Sequence, residues 1–294
     1  MVWKKSHSFY LIMWLLSMVL LAIAGHYANY YLKKENLTKS QRINLESFIE
    51  KIDTKITDIH ASLESFSNEE LIHTLIKPKS ELPQQQPESV INAFESANSA
   101  LNTSLVYLLN SDGDVVASSL FGDKLSIYKE NFSFRPYFKE ALKGKAFVYL
   151  ALGVRTNKRG IYVSYPVFDK NKNKAIGVLV AKLPAEEIDK TIKGLESQVY
   201  LVSETGIVFS SSNENHILKH LSGFSFDEKP GHKDKRQFVE QIQNVDARSD
   251  QTICNSLLFI GQNIKKRGLL GTEKWGVVVC GDEANVSLST AQVS

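Results

Sequence analysis

The sequence predicts an α+β protein in which a long N-terminal helix precedes two tandem modules with antiparallel sheets. Three observations support this fold class. An apolar stripe with helical spacing lies near the N-terminus, a strand–turn–strand motif occurs twice at an offset of 93 residues (Val106 and Val199), and three strand-like segments separate the copies. With 294 residues and 43% hydrophobic content, the chain can form two small cores.

The N-terminal segment carries an uncharged, mostly apolar run from Phe9 to Gly25. Two lysines precede it, and three tyrosines follow it as a candidate interfacial belt. We expect a cytoplasmic N-terminus over residues 1–8 and a retained transmembrane signal anchor over residues 9–31. The alternative is a secretory signal cleaved after Ala22-Ile23-Ala24, where two small residues form a possible cleavage site. In either case the remainder of the chain is expected to be exported.

Residues 32–76 are predicted to form the long helix. Its stripe repeats with steps of four and three and comprises Leu45, Ile49, Ile52, Ile56, Ile59, Leu63 and Phe66. This spacing fits a helix that packs on its own domain and also fits the seam of a homodimer, and the sequence leaves both open. Three prolines and a glutamine run over residues 77–89 predict a loop after the helix.

The internal repeat is the strongest signal for domain organisation. VYLLNSDGDVVASS (106–119) recurs without gaps as VYLVSETGIVFSSS (199–212). Each copy is an apolar strand, a glycine-containing turn and a second strand ending in serines, which is typical of a hairpin. The two copies predict related modules over residues 88–195 and 196–284, followed by a C-terminal tail over residues 285–294.

Between the two copies, β-forming residues are concentrated in three segments. Ala146–Gly153, Gly160–Asp169 and Ala175–Pro184 are separated by short polar turns, so they predict an antiparallel sheet of successive hairpins. Ala185–Leu195 is then predicted to be a helix that leads into the second module.

The second module contains fewer clear strands. Thr252–Gly261 and Lys274–Asp282 have strand character, and antiparallel pairing would bring Cys254 near Cys280. An oxidising compartment would permit a disulfide between them. Two small buried thiols are the equally weighted alternative.

A set of polar side chains indicates a candidate anion site. Arg135 precedes Pro136, which suits a first helical turn, and a cation at a helix start gains nothing from the helix dipole. Cations and hydroxyls from the following elements can converge on it, namely Arg155, Thr156, Tyr162, Ser164 and Lys182. The alternative is that Arg155, Lys158 and Arg159 form a solvated loop and that Lys182 marks a strand end reaching solvent.

These motifs resemble a known family. FRPYFKEAL, ALGVRTNKRGIYVSYPV and GVLVAKL, in that order, are similar to the ligand-binding core of a double-Cache (PAS-like) sensor domain. The similarity extends over about Val106 to Leu221 and is closest to the periplasmic domain of four-carbon dicarboxylate sensor histidine kinases. It implies two tandem PAS-like modules, a membrane-distal one that binds ligand and a membrane-proximal one that relays the signal.

The resemblance also assigns residues by position. It implies carboxylate contacts from Arg135, Thr156, Ser164 and Lys182. It implies that Tyr137, Gly160 and Tyr162 line the pocket. The family often has a tyrosine three residues before the arginine, where this chain has Phe132, so one hydroxyl is missing.

The function expected from these features is that of an extracytoplasmic input domain of a signal-transduction receptor in the inner (plasma) membrane. It would bind a small anionic ligand, such as a dicarboxylate, and relay through the N-terminal helix. The alternative is a receptor domain that binds a periplasmic partner protein. Such receptors of two-component and related signalling systems normally continue into a kinase, cyclase or chemotaxis region. A chain ending at Ser294 is therefore expected either to be the input part of a split or shortened receptor or to use a separate signalling partner.

Other function classes are not favoured. The formal net charge of +3 does not indicate a nucleic-acid partner. The sequence contains no nucleophile-elbow, zinc-protease or paired-carboxylate motif, so no enzyme activity, metal site or cofactor is predicted.

Overall fold

The computed structural model describes residues 3–120, 126–195, 198–203, 207–219 and 275–280. Its contacts divide the chain into two compact units. One comprises Met1–Glu46 with Asp282–Ser294, and the other comprises Ser47–Gly281.

The N-terminal unit contains the first part of helix α1 (Trp3–Ser67). Side chains from Met13 to Asn29 are exposed in this unit. Within the described ranges, no helix combines the length and the apolar character that crossing a membrane requires. The anchor predicted over residues 9–31 stays a prediction.

In the larger unit, α1 buries its apolar stripe against the same chain. Ile52, Ile56, Ile59 and Leu63 are at most 7% exposed, and Phe66 packs edge-on against Phe94 with ring centroids 5.4 Å apart. Burial of one such aliphatic side chain contributes about 1.5–3 kcal/mol. Of the two alternatives for the stripe, these residues follow the one in which the helix packs on its own domain.

The remaining helices and the first sheet follow in order. After α1 come α2 (Glu70–Leu75), a 3-10 turn (Lys79–Glu81), α3 (Glu88–Leu101), β1 (Leu105–Asn110), β2 (Val115–Ser118), α4 (Pro136–Leu142), β3 (Phe147–Leu152), β4 (Arg159–Phe168), β5 (Ala175–Pro184) and α5 (Ala185–Lys193). The strands form one sheet in the order β2-β1-β5-β4-β3, and each neighbouring pair is antiparallel. The three predicted hairpin strands and the helix after them are thus confirmed.

The two faces of this sheet have different partners, as the alternation along β4 predicts. Tyr162 lies on the face that packs with Tyr137 of α4, where the two rings stack at 5.3 Å. Tyr165 lies on the opposite face and interacts with Glu64 of α1. The candidate site therefore forms on the α4 face, away from α1.

A second, three-stranded sheet contains β6 (Gln198–Ser203), β7 (Val208–Ser211) and β8 (Trp275–Cys280) in the order β7-β6-β8. A 3-10 turn (Glu214–His216) follows β7. β8 confirms the last predicted strand. The predicted strand Thr252–Gly261 and the side chains of the proposed Cys254–Cys280 pair lie outside the described residues.

The internal repeat is reproduced in the register of the two hairpins. Tyr107 pairs with Ser118 in the first hairpin, and Tyr200 pairs with Ser211 in the second, both offset by the same 93 residues. The register shifts at the same position in each copy, after Leu108 and after Leu201. Shared register together with a shared irregularity supports the α+β fold with two related modules.

Side chains also close the two hairpin turns in equivalent ways. The Asn110 side-chain carbonyl accepts a hydrogen bond from the Asp114 amide at 2.9 Å, and the Ser203 hydroxyl accepts one from the Ile207 amide at 3.1 Å. In the first copy, Gly113 has φ +85°, and a Cβ there would clash with the backbone of Ser133. Only glycine adopts this conformation without strain.

Candidate ligand-binding site

A cavity of about 330 Å³ opens on the α4 face of the first sheet. Its walls come from β1, β4, β5, the segment leading into α4 and the loop between β3 and β4. The lining residues are Leu105, Tyr107, Ser126, Ile127, Phe132, Arg135, Tyr137, Gly153, Val154, Arg155, Thr156, Tyr162 and Lys182.

The floor of the cavity is a row of side chains across three strands. Lys182 lies opposite Leu105 on one side and opposite Tyr162 on the other. Tyr149 lies opposite Tyr162 on the next strand, outside the cavity lining. Directly opposed residues of antiparallel strands point to the same face, so strand pairing alone brings the lysine and the tyrosine together.

Arg135 enters the cavity from the start of α4. Its extended backbone (φ −71°, ψ 134°) precedes Pro136, the first helical residue. The side chain is 2% exposed and donates a hydrogen bond from Nη2 to the Leu152 carbonyl at 2.8 Å. The guanidinium carbon also lies 5.3 Å from the centre of the Phe134 ring. These contacts fix the arginine in a site where a permanent positive charge is buried.

Lys182 is the second buried cation, with 3% of the residue exposed. The pKa of Lys182 is lowered to about 8, chiefly by burial; Glu186 opposes the shift, and the positive charges of Lys158 and Arg135 contribute to it. Its Nζ atom lies 3.5 Å from the Lys158 carbonyl oxygen. This lysine is not a strand end reaching solvent, so that alternative is wrong.

Three polar groups converge on Gly153. A Cβ atom at this glycine would lie 2.7 Å from the Thr156 hydroxyl, 3.1 Å from the Lys182 Nζ and 3.2 Å from the Tyr162 hydroxyl. The absence of a side chain therefore leaves a space bordered by two hydroxyls and an ammonium group. Hydroxyl and ammonium donors around one small space are suited to the oxygens of an anion.

Tyrosines supply further donors in neutral form. The Tyr107 hydroxyl donates to the Tyr137 hydroxyl at 2.7 Å. Burial raises the pKa of Tyr162 to about 12, although the charge of Arg135 lowers it, and burial raises the pKa of Tyr107 well above its ordinary value. At neutral pH these phenols are therefore uncharged and do not compete with an anion for the two cations.

Two of the predicted site residues do not line the cavity. Ser164 is fully buried, and its hydroxyl lies 3.0 Å from both the Tyr137 and the Phe147 carbonyl oxygens. It joins β4 to neighbouring elements and is not among the residues that line the cavity. Gly160 lies beneath Lys182, where an added Cβ would collide with the Cε atom of the lysine. Gly160 therefore lets the lysine side chain cross the strand.

The structure brings the other five residues that the resemblance assigns to the cavity wall, and these are Arg135, Tyr137, Thr156, Tyr162 and Lys182. Arg155, the further candidate for the anion site, lines it as well. Phe132 also lines it and packs edge-on against Tyr107 at 6.0 Å. An aromatic edge thus occupies the position where the resemblance implies a tyrosine hydroxyl.

The predicted solvated loop is only partly as expected. Arg155 and Lys158 are exposed, and Arg155 pairs with Glu130 at 3.4 Å on the rim. Arg159 differs, because its side chain is 14% exposed and pairs with Asp189 at 2.7 Å. The prediction of a solvated Arg159 is therefore wrong.

Family comparison agrees with the fold. The family described as Cache domain matches residues 31–287, which is most of the chain. The chain belongs to the Cache domain family. Cache domains are ligand-binding sensor domains and are not catalytic.

Curated relatives of this Cache domain include two dicarboxylate sensors. The C4-dicarboxylate transport sensor protein DctB of Pseudomonas aeruginosa is 34% identical over 127 residues, covering 42% of this chain and 20% of the relative. The protein of the same name from Rhizobium meliloti is 26% identical over 119 residues, covering 40% of this chain and 19% of the relative. The match thus spans about a fifth of the length of these relatives.

Solved structures with a similar fold include the sensor domain of the V. cholerae histidine kinase DctB. It has a TM-score of 0.45 at 24% identity, with coverage of 64% of this chain and 73% of that one. The ligand-binding domain of the Campylobacter jejuni chemoreceptor Tlp3 in complex with L-valine has a TM-score of 0.37 at 21% identity, with coverage of 60% and 75%. Family membership rests on the family match.

Sequence reasoning missed part of the Cache cavity wall. Leu105, Tyr107, Ile127 and Gly153 line it without having been assigned to it. Tyr107 belongs to the repeated hairpin motif, so the sequence analysis assigned it to the fold and not to the cavity. For Gly153 the available signal was its place at the end of a strand, directly before a polar loop.

Proposed function

We propose that the cavity binds a small carboxylate such as a dicarboxylate, and that the chain is the extracytoplasmic input domain of a signal-transduction receptor. The observation that carries this proposal is the presence of two buried cations, Arg135 and Lys182, in one cavity. Among the lining residues that the structure describes, none is an aspartate or glutamate.

The charge balance explains why an anion suits the site. Arg135 and Lys182 place positive charge in the cavity wall, and positive charge at a concave site attracts an anion. The exposed pair of Arg155 and Glu130 lies at the rim and places no carboxylate in the cavity wall. A bound carboxylate would lie near the two cations and accept hydrogen bonds from the Thr156 and Tyr162 hydroxyls. The names of the curated dicarboxylate sensors point to the same ligand class.

The cavity also bears on the alternative of a receptor for a partner protein. That alternative expects a pocket that is empty or plugged by the chain's own side chains. An open volume of about 330 Å³ speaks against plugging, and the cations and hydroxyls in its wall favour a small-molecule ligand.

Calorimetric titration of the purified chain tests this function. Succinate, acetate, L-alanine and ammonium ion separate dicarboxylates, monocarboxylates, zwitterions and cations. We expect succinate or acetate to bind, and we expect Arg135→Gln and Lys182→Met each to weaken binding by roughly 30-fold or more, because each removes one partner of a buried charge contact.

Lys158→Gln is the matched control. It removes a cation from the same loop, but the side chain is exposed and lies outside the cavity wall. We expect its affinity to stay within about threefold of the wild-type value. Binding that is unaffected by both cavity substitutions, or a preference for ammonium ion, would contradict the proposal.

A further inference from the structure

A buried polar cluster joins the first sheet to the second. Arg159, the first residue of β4, pairs with Asp189 of α5 through two contacts, Nη2 to Oδ2 at 2.7 Å and Nη1 to Oδ1 at 3.2 Å. Arg159 also donates to the Phe209 carbonyl of β7, and the Ser210 hydroxyl of β7 donates to Asp189. We call Arg159, Asp189, Phe209 and Ser210 the Arg159 cluster.

The cluster is shielded from solvent. The side chains of Arg159 and Asp189 are 14% and 11% exposed, and Ser210 is fully buried. The guanidinium carbon lies 5.7 Å from the centre of the Phe209 ring. A two-point arginine–carboxylate contact with further hydrogen bonds has a narrow geometry. The cluster therefore transmits a movement of Arg159 to α5 and β7 more readily than an exposed ion pair would.

The same arginine is next to the cavity in the chain. The carbonyl of Lys158, the preceding residue, accepts a hydrogen bond from the Gly153 amide at 2.9 Å and lies 3.5 Å from the Lys182 Nζ. The following residue, Gly160, packs against the side chain of Lys182. Both backbone neighbours of Arg159 thus contact the buried lysine of the cavity.

We propose that Arg159 couples occupancy of the cavity to the second sheet, as a positioning residue that acts through Asp189 and the Phe209 carbonyl. This inference rests on the proposed function. An anion that attracts the Lys182 ammonium group changes its contact with the Lys158 carbonyl and shifts the end of the loop. Because the side chain of Arg159 is held by α5 and β7, the shift reaches the second sheet.

Amide hydrogen exchange with and without succinate tests the coupling. In the wild-type chain we expect succinate to slow exchange at residues 153–160 and also in β7, residues 208–211. In the double variant Arg159→Gln/Asp189→Asn, which leaves no unpaired buried charge, we expect the slowing at residues 153–160 to remain and the change in β7 to disappear. A ligand-dependent change in β7 is a readout that a purely structural role of Arg159 does not affect.

Glu187→Gln is the control, since it removes an exposed ion pair with Lys190 from the same helix. We expect it to retain both ligand-dependent changes. Equal slowing of exchange in β7 in the wild type and in the double variant would overturn the coupling role of Arg159.

A separate experiment without ligand distinguishes failure of the coupling from failure of the proposed function. Lys182→Met removes the contact with the Lys158 carbonyl. We expect Lys182→Met to alter amide exchange in β7 of the otherwise wild-type chain. When Lys182→Met is added to Arg159→Gln/Asp189→Asn, we expect exchange in β7 to stay as it is in that double variant. If Lys182→Met left exchange in β7 unchanged, the coupling would be contradicted. If the chain bound neither succinate nor acetate, that result would count against the proposed function only.

Discussion

Lys182 lies directly opposite Tyr162 across strands β4 and β5, and its Nζ atom is 5.5 Å from the centre of the tyrosine ring. The ring and the ammonium group are both buried, and the phenol is neutral because burial raises its pKa to about 12. The aromatic ring stabilises the cation to a limited degree, and burial still lowers the pKa of Lys182 to about 8. The charge state of the site therefore changes in an accessible pH range.

The first prediction concerns pH. The protonated lysine attracts an anion, so affinity for succinate should be nearly full at about pH 7 and should fall as pH rises through the pKa of about 8. From pH 7 to pH 9 the protonated fraction decreases about tenfold, and we expect the affinity to decrease by a similar factor. Calorimetry in buffers across this range measures the effect.

The control for the pH effect is Lys182→Met, which has no titrating ammonium group. Its weaker binding should be independent of pH between 7 and 9. The Tyr162 hydroxyl stays neutral in this interval, because burial raises its pKa to about 12. A pH-independent affinity of the wild-type chain would show that Lys182 does not contact the anion.

The second prediction concerns Gly160. Its substitution by alanine forces the side chain of Lys182 away from the strand, since the added Cβ collides with the Cε atom. We expect Gly160→Ala to fold and to bind succinate about tenfold more weakly, in line with the loss of a charge-assisted hydrogen bond. Circular dichroism checks the fold and calorimetry the affinity.

Gly194→Ala is the glycine control. A Cβ there would have its nearest neighbour at 3.6 Å, an ordinary contact, and lies away from the cavity wall. Its affinity should equal that of the wild type. Unchanged affinity in Gly160→Ala would instead mean that the position of the lysine is not important for binding.

The third prediction separates Ser164 from Thr156. Ser164→Ala removes buried hydrogen bonds outside the cavity, so we expect a loss of about 1 kcal/mol in the free energy of unfolding and an affinity within about twofold of wild type. Thr156→Val removes a hydroxyl next to the cavity and should weaken binding by roughly five- to tenfold. Urea denaturation and calorimetry measure the two quantities. The reverse pattern would place Ser164 at the ligand.

The fourth prediction concerns stability. Arg159→Gln leaves Asp189 as an unpaired buried charge, and such changes cost about 3–5 kcal/mol in the free energy of unfolding. The double variant Arg159→Gln/Asp189→Asn should lose less than the single variant. Glu187→Gln should change stability by at most about 1 kcal/mol, because its ion pair is exposed. A double variant that is less stable than Arg159→Gln would contradict the pairing.

Much of the fold could be predicted because it depends on local patterns. Alternation along β4 identified the two faces of the sheet, and the repeated motif predicted two hairpins that share a register. The convergence of Arg135 with Lys182 followed from placing polar residues on one face of neighbouring strands.

Other features depend on contacts between distant residues. Arg159 stands in a charged loop sequence, and its burial results from Asp189 and β7, which lie 30 to 50 residues later in the chain. Ser164 shares a strand face with Tyr162, but it lies two residues further along, where the carbonyls of Tyr137 and Phe147 cover it. Local patterns carry no information on such partners.

The most direct test of the central claim is a crystal structure of the chain with succinate. The two buried cations predict electron density for the ligand in the cavity, with a carboxylate within hydrogen-bonding distance of the Arg135 guanidinium group and the Lys182 ammonium group. An empty cavity at saturating succinate, or a ligand that contacts neither side chain, would contradict the account.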